Sequence, residues 1–225
     1  MAFEGFTYEA RDFFFDIAMH NNKEFFDANR KRYIDHARTP MRALAAEVAD
    51  AVLDVDDTLD TRPERAVSRI RRDTRFTKDK TPYRDHLWAS YRHSDESVSQ
   101  GLNLYFEVSG VDVAYGMGFY SATPTQMRKF RAAVMKHQKQ FLKIIEAEDL
   151  MDTYTLLGHD YVRLPAECES ADPRLLPWLC KKSFYLEHVE GFESALDPIL
   201  AKQMSHDFRL LAPLYHFIDD AMHRA

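Results

Sequence analysis

The spacing of apolar residues changes twice along this 225-residue chain, and that change limits the fold more than any other feature. In the first third the spacing is helical. Ala10, Phe13, Phe14 and Ile17 follow Thr7, a candidate N-cap, at intervals of three and four, and Asn21-Asn22 interrupts them. Asn22 caps a second segment that bears Phe25, Phe26, Tyr33 and Ile34. Thr39-Pro40 reads as the N-cap and first residue of a third helix, whose buried face is Met41, Leu44, Ala45, Val48 and Val52. The middle of the chain alternates instead. Leu87, Ala89 and Tyr91, then Leu102, Leu104, Phe106 and Val108, fall on every second position, as in half-buried strands. Ser109-Gly110 predicts a two-residue turn, with Val111, Val113 and Tyr115 on the returning strand.

Helical spacing returns over residues 125–147, through Met127, Phe130, Val134, Phe141, Leu142 and Ile145. A mixed stretch with Pro165, Pro173 and Pro177 follows, including a candidate strand over residues 183–189. The stripe Leu196, Leu200, Met204, Phe208, Leu211, Tyr215, Ile218 and Met222 then marks the C-terminus as a core-facing helix. Pro213, which lacks an N–H and clashes with the carbonyl four residues back, should kink or split it. The pattern predicts an α+β fold: N-terminal helices, a central antiparallel sheet, and C-terminal helices packed on it. A 45% hydrophobic content with only 7 Gly and 9 Pro supports a packed core and excludes a collagenous or low-complexity chain. With no repeat or linker, the reading is one α+β domain over residues 1–225. The start of the chain has no basic, then apolar, leader pattern, and no run approaches the roughly 18 apolar residues of a membrane span. A cytoplasmic protein with no membrane partner is expected, with Cys168 and Cys180 as reduced thiols.

Charge is unevenly placed. The formal net charge is −6, from 30 basic and 36 acidic residues, and suggests indifference to anions. Residues 62–84, however, hold nine basic and three acidic side chains, a local +6, which leaves −12 on the rest of the chain. Just upstream, Asp50, Asp54, Asp56, Asp57 and Asp60 form an acidic stretch.

Within the basic segment, Arg69, Arg72, Asp73, Arg75, Phe76, Lys80 and Tyr83 spell RxxRDxRFxxxKxxY. At every one of these positions the segment resembles the motif of domain-of-unknown-function family 2461, a bacterial family with no assigned activity. The similarity runs from residues 3–33, with Asn21-Asn22-Lys23 and Phe26, through Gly118-Phe119-Tyr120 and Pro124, to Lys182-Ser183-Phe184 and the C-terminal helices. Phe25-Phe26 departs from the Trp-Phe common in the family but keeps its apolar role. The resemblance implies a cytoplasmic single-domain protein and supplies no catalytic residues.

The chemistry of the segment rests on its own residues. Arginine is a permanently charged fork that binds carboxylate or phosphate in bidentate fashion, and several close together repel unless anions sit among them. If residues 67–75 are extended, Arg69, Arg71, Asp73 and Arg75 share a face and Arg72 points away. If they are helical, Arg69, Arg72 and Phe76 share one. Asp73 alone cannot neutralise three arginines, so the remaining counter-charge comes from internal carboxylates, such as the Asp50 to Asp60 stretch, or from outside. Three readings follow. The first is a site for a phosphate- or carboxylate-bearing small molecule, with Arg69, Arg72, Arg75, Lys80 and Tyr83 as ligands. If such a site is catalytic, Lys80 is a candidate base, Tyr83 a candidate donor and Asp73 a further candidate. The second is a structural ion-pair network in a protein-interaction domain. The third is nucleic-acid binding by residues 62–84, with Phe76, Tyr83, Trp88 and Tyr91 stacking on bases.

Other signals are weaker. No cofactor and no metal are expected: the ten histidines include no HExxH, and His86 and His93 lie seven apart on a putative strand. Gly116-Met117-Gly118 lacks the third glycine of a dinucleotide fingerprint and reads as a strand end. Asp54, Asp56 and Asp60 resemble a calcium loop without its glycine and terminal glutamate. Cys180, beside Lys181 and Lys182, reads either as an activated thiol or as packed core. Substrate, reaction and oligomeric state are not written in the sequence.

Overall fold

In the computed structural model, which describes residues 2–75, 77–147 and 149–223, the expected α+β architecture is present. Helices α1 (Tyr8–Met19), α2 (Lys23–Ala28), α3 (Arg30–Arg32), α4 (Thr39–Glu47), α5 (Ala49–Val55) and α6 (Pro63–Ala66) precede strands β1 (His86–Tyr91), β2 (Asn103–Ser109) and β3 (Asp112–Gly118). Helices α7 (Pro124–Lys136), α8 (Gln138–Ile145) and α9 (Leu150–Thr153) lead to β4 (Thr155–Asp160). Helix α10 (Leu176–Leu179) leads to β5 (Lys181–Gly191), and α11 (Ile199–Leu210) and α12 (Ala212–His223) complete the order.

The apolar positions of the N-terminal helices are buried as their spacing requires. Ala10, Phe13, Phe14 and Ile17 line α1, and Met41, Leu44, Ala45, Val48 and Val52 form one inward face of α4 and α5. Asn22 caps α2 by accepting from Phe25 N at 2.9 Å. Thr39-Pro40 does not start a new helix. Residues Tyr33–Arg38 form a π-helical turn that runs straight into α4. Pro40 would press on the carbonyl of His36 in a regular α-helix, and the widened turn just ahead of it accommodates the ring.

The sheet is antiparallel throughout, in the order β1-β2-β3-β5-β4. Its core face carries Leu87, Ala89 and Tyr91 of β1, Leu104, Phe106 and Val108 of β2, Val113, Tyr115 and Met117 of β3, and Phe184 and Leu186 of β5. The Tyr91 hydroxyl donates to the Ala45 carbonyl at 2.9 Å and ties β1 to α4. The hairpin turn is shifted by one residue from Ser109-Gly110. Ser109 Oγ accepts from Val111 N and Asp112 N, both at 3.0 Å, so Gly110-Val111 forms the tip and Val111 is exposed. Gly116-Met117-Gly118 does end β3. A Cβ on Gly116 would lie 1.8 Å from the Leu186 carbonyl oxygen, so glycine permits the close approach of β3 and β5.

At the C-terminus, Pro213 divides the apolar stripe into α11 and α12, as expected. The single helix expected over residues 125–147 is broken at His137 into α7 and α8. A capping box between Thr123 and Gln126 fixes the start of α7. Helices α7, α8 and α12 enclose an aromatic cluster with β5: Phe130 packs on Phe141 and Phe184, and Phe141 on Trp178 and Phe217. Cys168 is fully buried and Cys180 half-buried, and both are free thiols. Among the described residues no helix is long and apolar enough to cross a membrane.

Candidate functional site

The basic segment folds as an extended strip that doubles back on itself. Val67 bridges Ala89 of β1, and Arg71 bridges Tyr83 in antiparallel fashion. Arg72 N donates to Pro82 O and Arg84 N to Ile70 O, both at 2.8 Å. The extended alternative therefore holds. Ser68 and Ile70 face inward, and Arg69 and Arg71 are exposed together on the other side.

The base of this strip is anchored by Asn21. Its side-chain amide accepts from Tyr83 N and donates to Tyr83 O, each at 2.9 Å, and so stands in for a neighbouring strand. The Tyr83 ring stacks on Phe26 with centroids 4.4 Å apart. Buried aromatic stacking of this kind contributes about 1 kcal/mol beyond the area it removes from water. Phe26 and Asn21, both within the N-terminal part of the family resemblance, thus meet the last residue of the arginine motif.

The tip is held by its own carboxylates. Asp79 accepts from Thr81 N at 2.9 Å and from Thr81 Oγ1 at 2.8 Å, and Arg72 Nη1 bonds both Asp79 and Thr81. The Thr81 amide, followed by Arg72 and the Thr81 hydroxyl, holds the Asp79 carboxyl down to about 2. Asp73 accepts from Arg75 Nε at 2.9 Å and Nη2 at 2.7 Å, and this fork holds its carboxyl near 2 as well. Lys80 Nζ donates to the Thr74 carbonyl at 2.8 Å. Phe76 lies outside the described residues.

The structure therefore sorts the motif residues into two groups. Arg72, Asp73, Arg75 and Lys80 bind within the loop, and Tyr83 is packed into its base. Arg69 is different: among the described residues it forms no ion pair, and the same is true of Arg71 and Arg84. Arg84 Nη1 donates to the carbonyls of Arg69 at 2.7 Å and Arg71 at 3.1 Å, which draws a third guanidinium to the same strip. Burial, followed by repulsion from Arg72, lowers the Arg84 pKa. Sequence reasoning set Arg71 on the face of Arg69 but left it and Arg84, which are not among the named motif letters, out of the ligand set, and it did not single out Asp79, the carboxylate that Arg72 uses.

The acidic stretch supplies partners elsewhere. Asp60 takes Arg62 at 2.5 Å and Arg65 at 3.4 Å, so it pairs the first two arginines of the basic segment. Asp54 pairs with Arg209 at 2.7 Å. Asp56 joins His93 and Asp219, whose donor atoms all lie within 4.8 Å of one another, the grouping among the described residues with a metal-ligand arrangement. Tyr91 is core, and Trp88 is half-buried on β1.

Fold and loop together define an α+β protein with an arginine-rich strip laid along the edge of its sheet. The chain belongs to the family of conserved hypothetical proteins DUF2461, whose model matches residues 9–217. No curated protein matches it.

Proposed function

We propose that the protein is a receptor for an anionic small molecule bearing phosphate or carboxylate, bound on the strip that carries Arg69 and Arg71. One observation supports this reading above all: three arginines, Arg69, Arg71 and Arg84, meet on one extended strip without a carboxylate partner among the described residues, whereas Arg72 and Arg75 beside them are paired. In an extended chain residues two apart sit roughly 7 Å apart, a span that lets two guanidinium forks close on one anion. Arg72, Arg75 and Lys80 act here by shaping the loop, through Asp79, Asp73 and the Thr74 carbonyl, and Tyr83 by anchoring it. The ion-pair reading thus applies to the tip and the anion-receptor reading to the strip. Nucleic acid fits less well, because Tyr83 and Tyr91, offered as stacking platforms, are buried. The free thiols Cys168 and Cys180 suit a reducing, cytoplasmic setting.

Thermal shift against inorganic phosphate, nucleotides and dicarboxylates tests the proposal. At least one anion should stabilise the wild-type protein, less so as salt rises, and the gain should vanish in an Arg69→Ala/Arg71→Ala double variant. If none stabilises the wild type more than the double variant, the proposal fails.

A further inference from the structure

The strongest unassigned chemistry lies away from the arginine loop, where the chain after α5, the end of β1 and the last helix meet. His93, two residues beyond β1, faces Asp56 Oδ2 at 3.5 Å and Asp219 Oδ1 at 3.6 Å through its Nε2 atom. All three side chains are largely buried, with 21%, 13% and 26% of their surfaces exposed, respectively.

The hydrogen atoms can be assigned from the partners. A carboxylate only accepts, so the Thr58 hydroxyl, 2.6 Å from Asp56 Oδ1, gives its single proton to Asp56. Thr58 Oγ1 is then an acceptor toward His93 Nδ1 at 3.1 Å, which places the proton of a neutral imidazole on Nδ1. Nε2 is left with a lone pair. Around it stand Asp56 Oδ2, Asp219 Oδ1 and the Tyr215 oxygen at 3.4 Å, and Tyr215 already donates to Asp56 Oδ2 at 2.9 Å. In that neutral tautomer an electron pair points at other electron pairs, an arrangement that repels unless a proton or a metal cation sits between them.

A third acidic side chain acts on the same group. Glu96 Oε2 is closed to solvent and has no hydrogen-bond partner among the described residues; burial raises the Glu96 pKa, His93 and His223 lower it, and Asp219 raises it further. Asp56, Asp219 and Glu96 form no ion pair with a lysine or arginine among the described residues; Asp219 meets His223 at 3.0 Å. Arg92 Nε and Lys129 Nζ donate to the backbone carbonyls of Glu96 and Met222, respectively.

We propose that Asp56, His93 and Asp219 bind one divalent transition-metal ion. His93 Nε2 lies 3.5 and 3.6 Å from the two carboxylate oxygens, close to the edge of a tetrahedron with bonds of about 2.1 Å, the length of zinc–nitrogen and zinc–carboxylate bonds, and all three donor atoms lie within 4.8 Å of one another. One imidazole with carboxylates suits Zn2+ and Mn2+ better than the all-oxygen cages of calcium or magnesium. Thr58 is the positioning residue: it fixes the His93 tautomer and orients Asp56, as partners behind metal ligands do. Three protein ligands leave a position for water or an anionic oxygen.

Chelator-treated protein titrated with Zn2+ and with Mn2+ by calorimetry tests the assignment. One equivalent of at least one ion should bind saturably, with loss of binding by at least about tenfold in His93→Gln and in Asp219→Asn, each checked for its fold by circular dichroism. Thr58→Val should weaken binding by about 10- to 100-fold while leaving one site. If His93→Gln does not fold, Asp219→Asn carries the test. Absence of saturable binding of both ions overturns the proposal and leaves His93 as an imidazolium between two aspartates. Binding unchanged in the folded variants overturns it equally, by assigning the ion to surface histidines.

Discussion

The side-chain amide of Asn21 and the main chain of Tyr83 exchange two hydrogen bonds of 2.9 Å, across sixty-two residues of sequence. Removing that amide leaves a partly buried N–H and C=O without partners. Asn21→Ala should therefore cost about 1 to 3 kcal/mol in urea-unfolding experiments. Asn21→Asp, which keeps an acceptor for Tyr83 N but loses the donor to Tyr83 O, should fall between the variant and the wild type. An Asn21→Ala protein as stable as wild type would show that the loop is not anchored there.

Arg72→Ala provides the contrast. Its partner Asp79 is exposed, so the variant strands no buried charge, and its melting temperature should fall less than that of Asn21→Ala. A larger fall would mean that the ion pair at the tip, rather than the anchor at the base, holds the loop.

Two tyrosines near Asp207 should respond in opposite directions. The Tyr115 hydroxyl donates to the buried Asp207 Oδ2 at 2.6 Å, and Tyr115→Phe removes a bond to a carboxylate, at a cost of about 1.5 to 3 kcal/mol. The Tyr154 hydroxyl is buried without a hydrogen-bond partner among the described residues. Tyr154→Phe should be neutral or stabilising, because it deletes a polar group that folding strips of water. Thermal melts of the two variants side by side check both.

Acid should weaken the protein partly through Asp60. Its bond with Arg62, and secondarily the nearby Arg65, holds the carboxyl down to about 2, below the 3.8 of an unperturbed aspartate. A depressed folded-state pKa gives stability that is fully present above pH 4 and lost as the pH falls from about 4 to 2. The shift corresponds to at most about 2 kcal/mol, reduced by solvent screening because both arginines are exposed. The unfolding free energies of wild type and Asp60→Asn should differ at pH 6 and converge as the pH approaches 2. A difference constant with pH would remove the ion pair as its cause.

Much of the fold was legible because burial imposes a period. The 3.6-residue spacing located α1, α4 and α5, and Pro213 marked the break between α11 and α12. Strand β4 had no such mark. It is an edge strand with mostly exposed side chains, and its adjacent Leu156 and Leu157 give no alternation. The break at His137 also escaped, because the apolar stripe continues in phase across it. At the loop, the motif located the charged strip, while Asn21 as its anchor and Asp79 as the partner of Arg72 depend on contacts that only folding creates. Asp56, His93 and Asp219 left no pattern at all, since three separate parts of the chain bring them together.

The bridge between Val67 and Ala89 bears on how the molecule avoids its own kind. A sheet margin with free N–H and C=O groups invites a strand from another molecule. Along β1 that margin is covered: Ser68 N donates to Trp88 O at 2.8 Å, and the next outward side chains, Arg69 and Arg71, are like charges that a second copy would have to face. At the opposite margin, β4 is short, and its pairing with β5 slips between His159 and Asp160. A bridged margin followed by like charges opposes growth of the sheet by recruitment. Shortening the arginine strip or neutralising it should appear first as aggregation during refolding, before any loss of the folded protein.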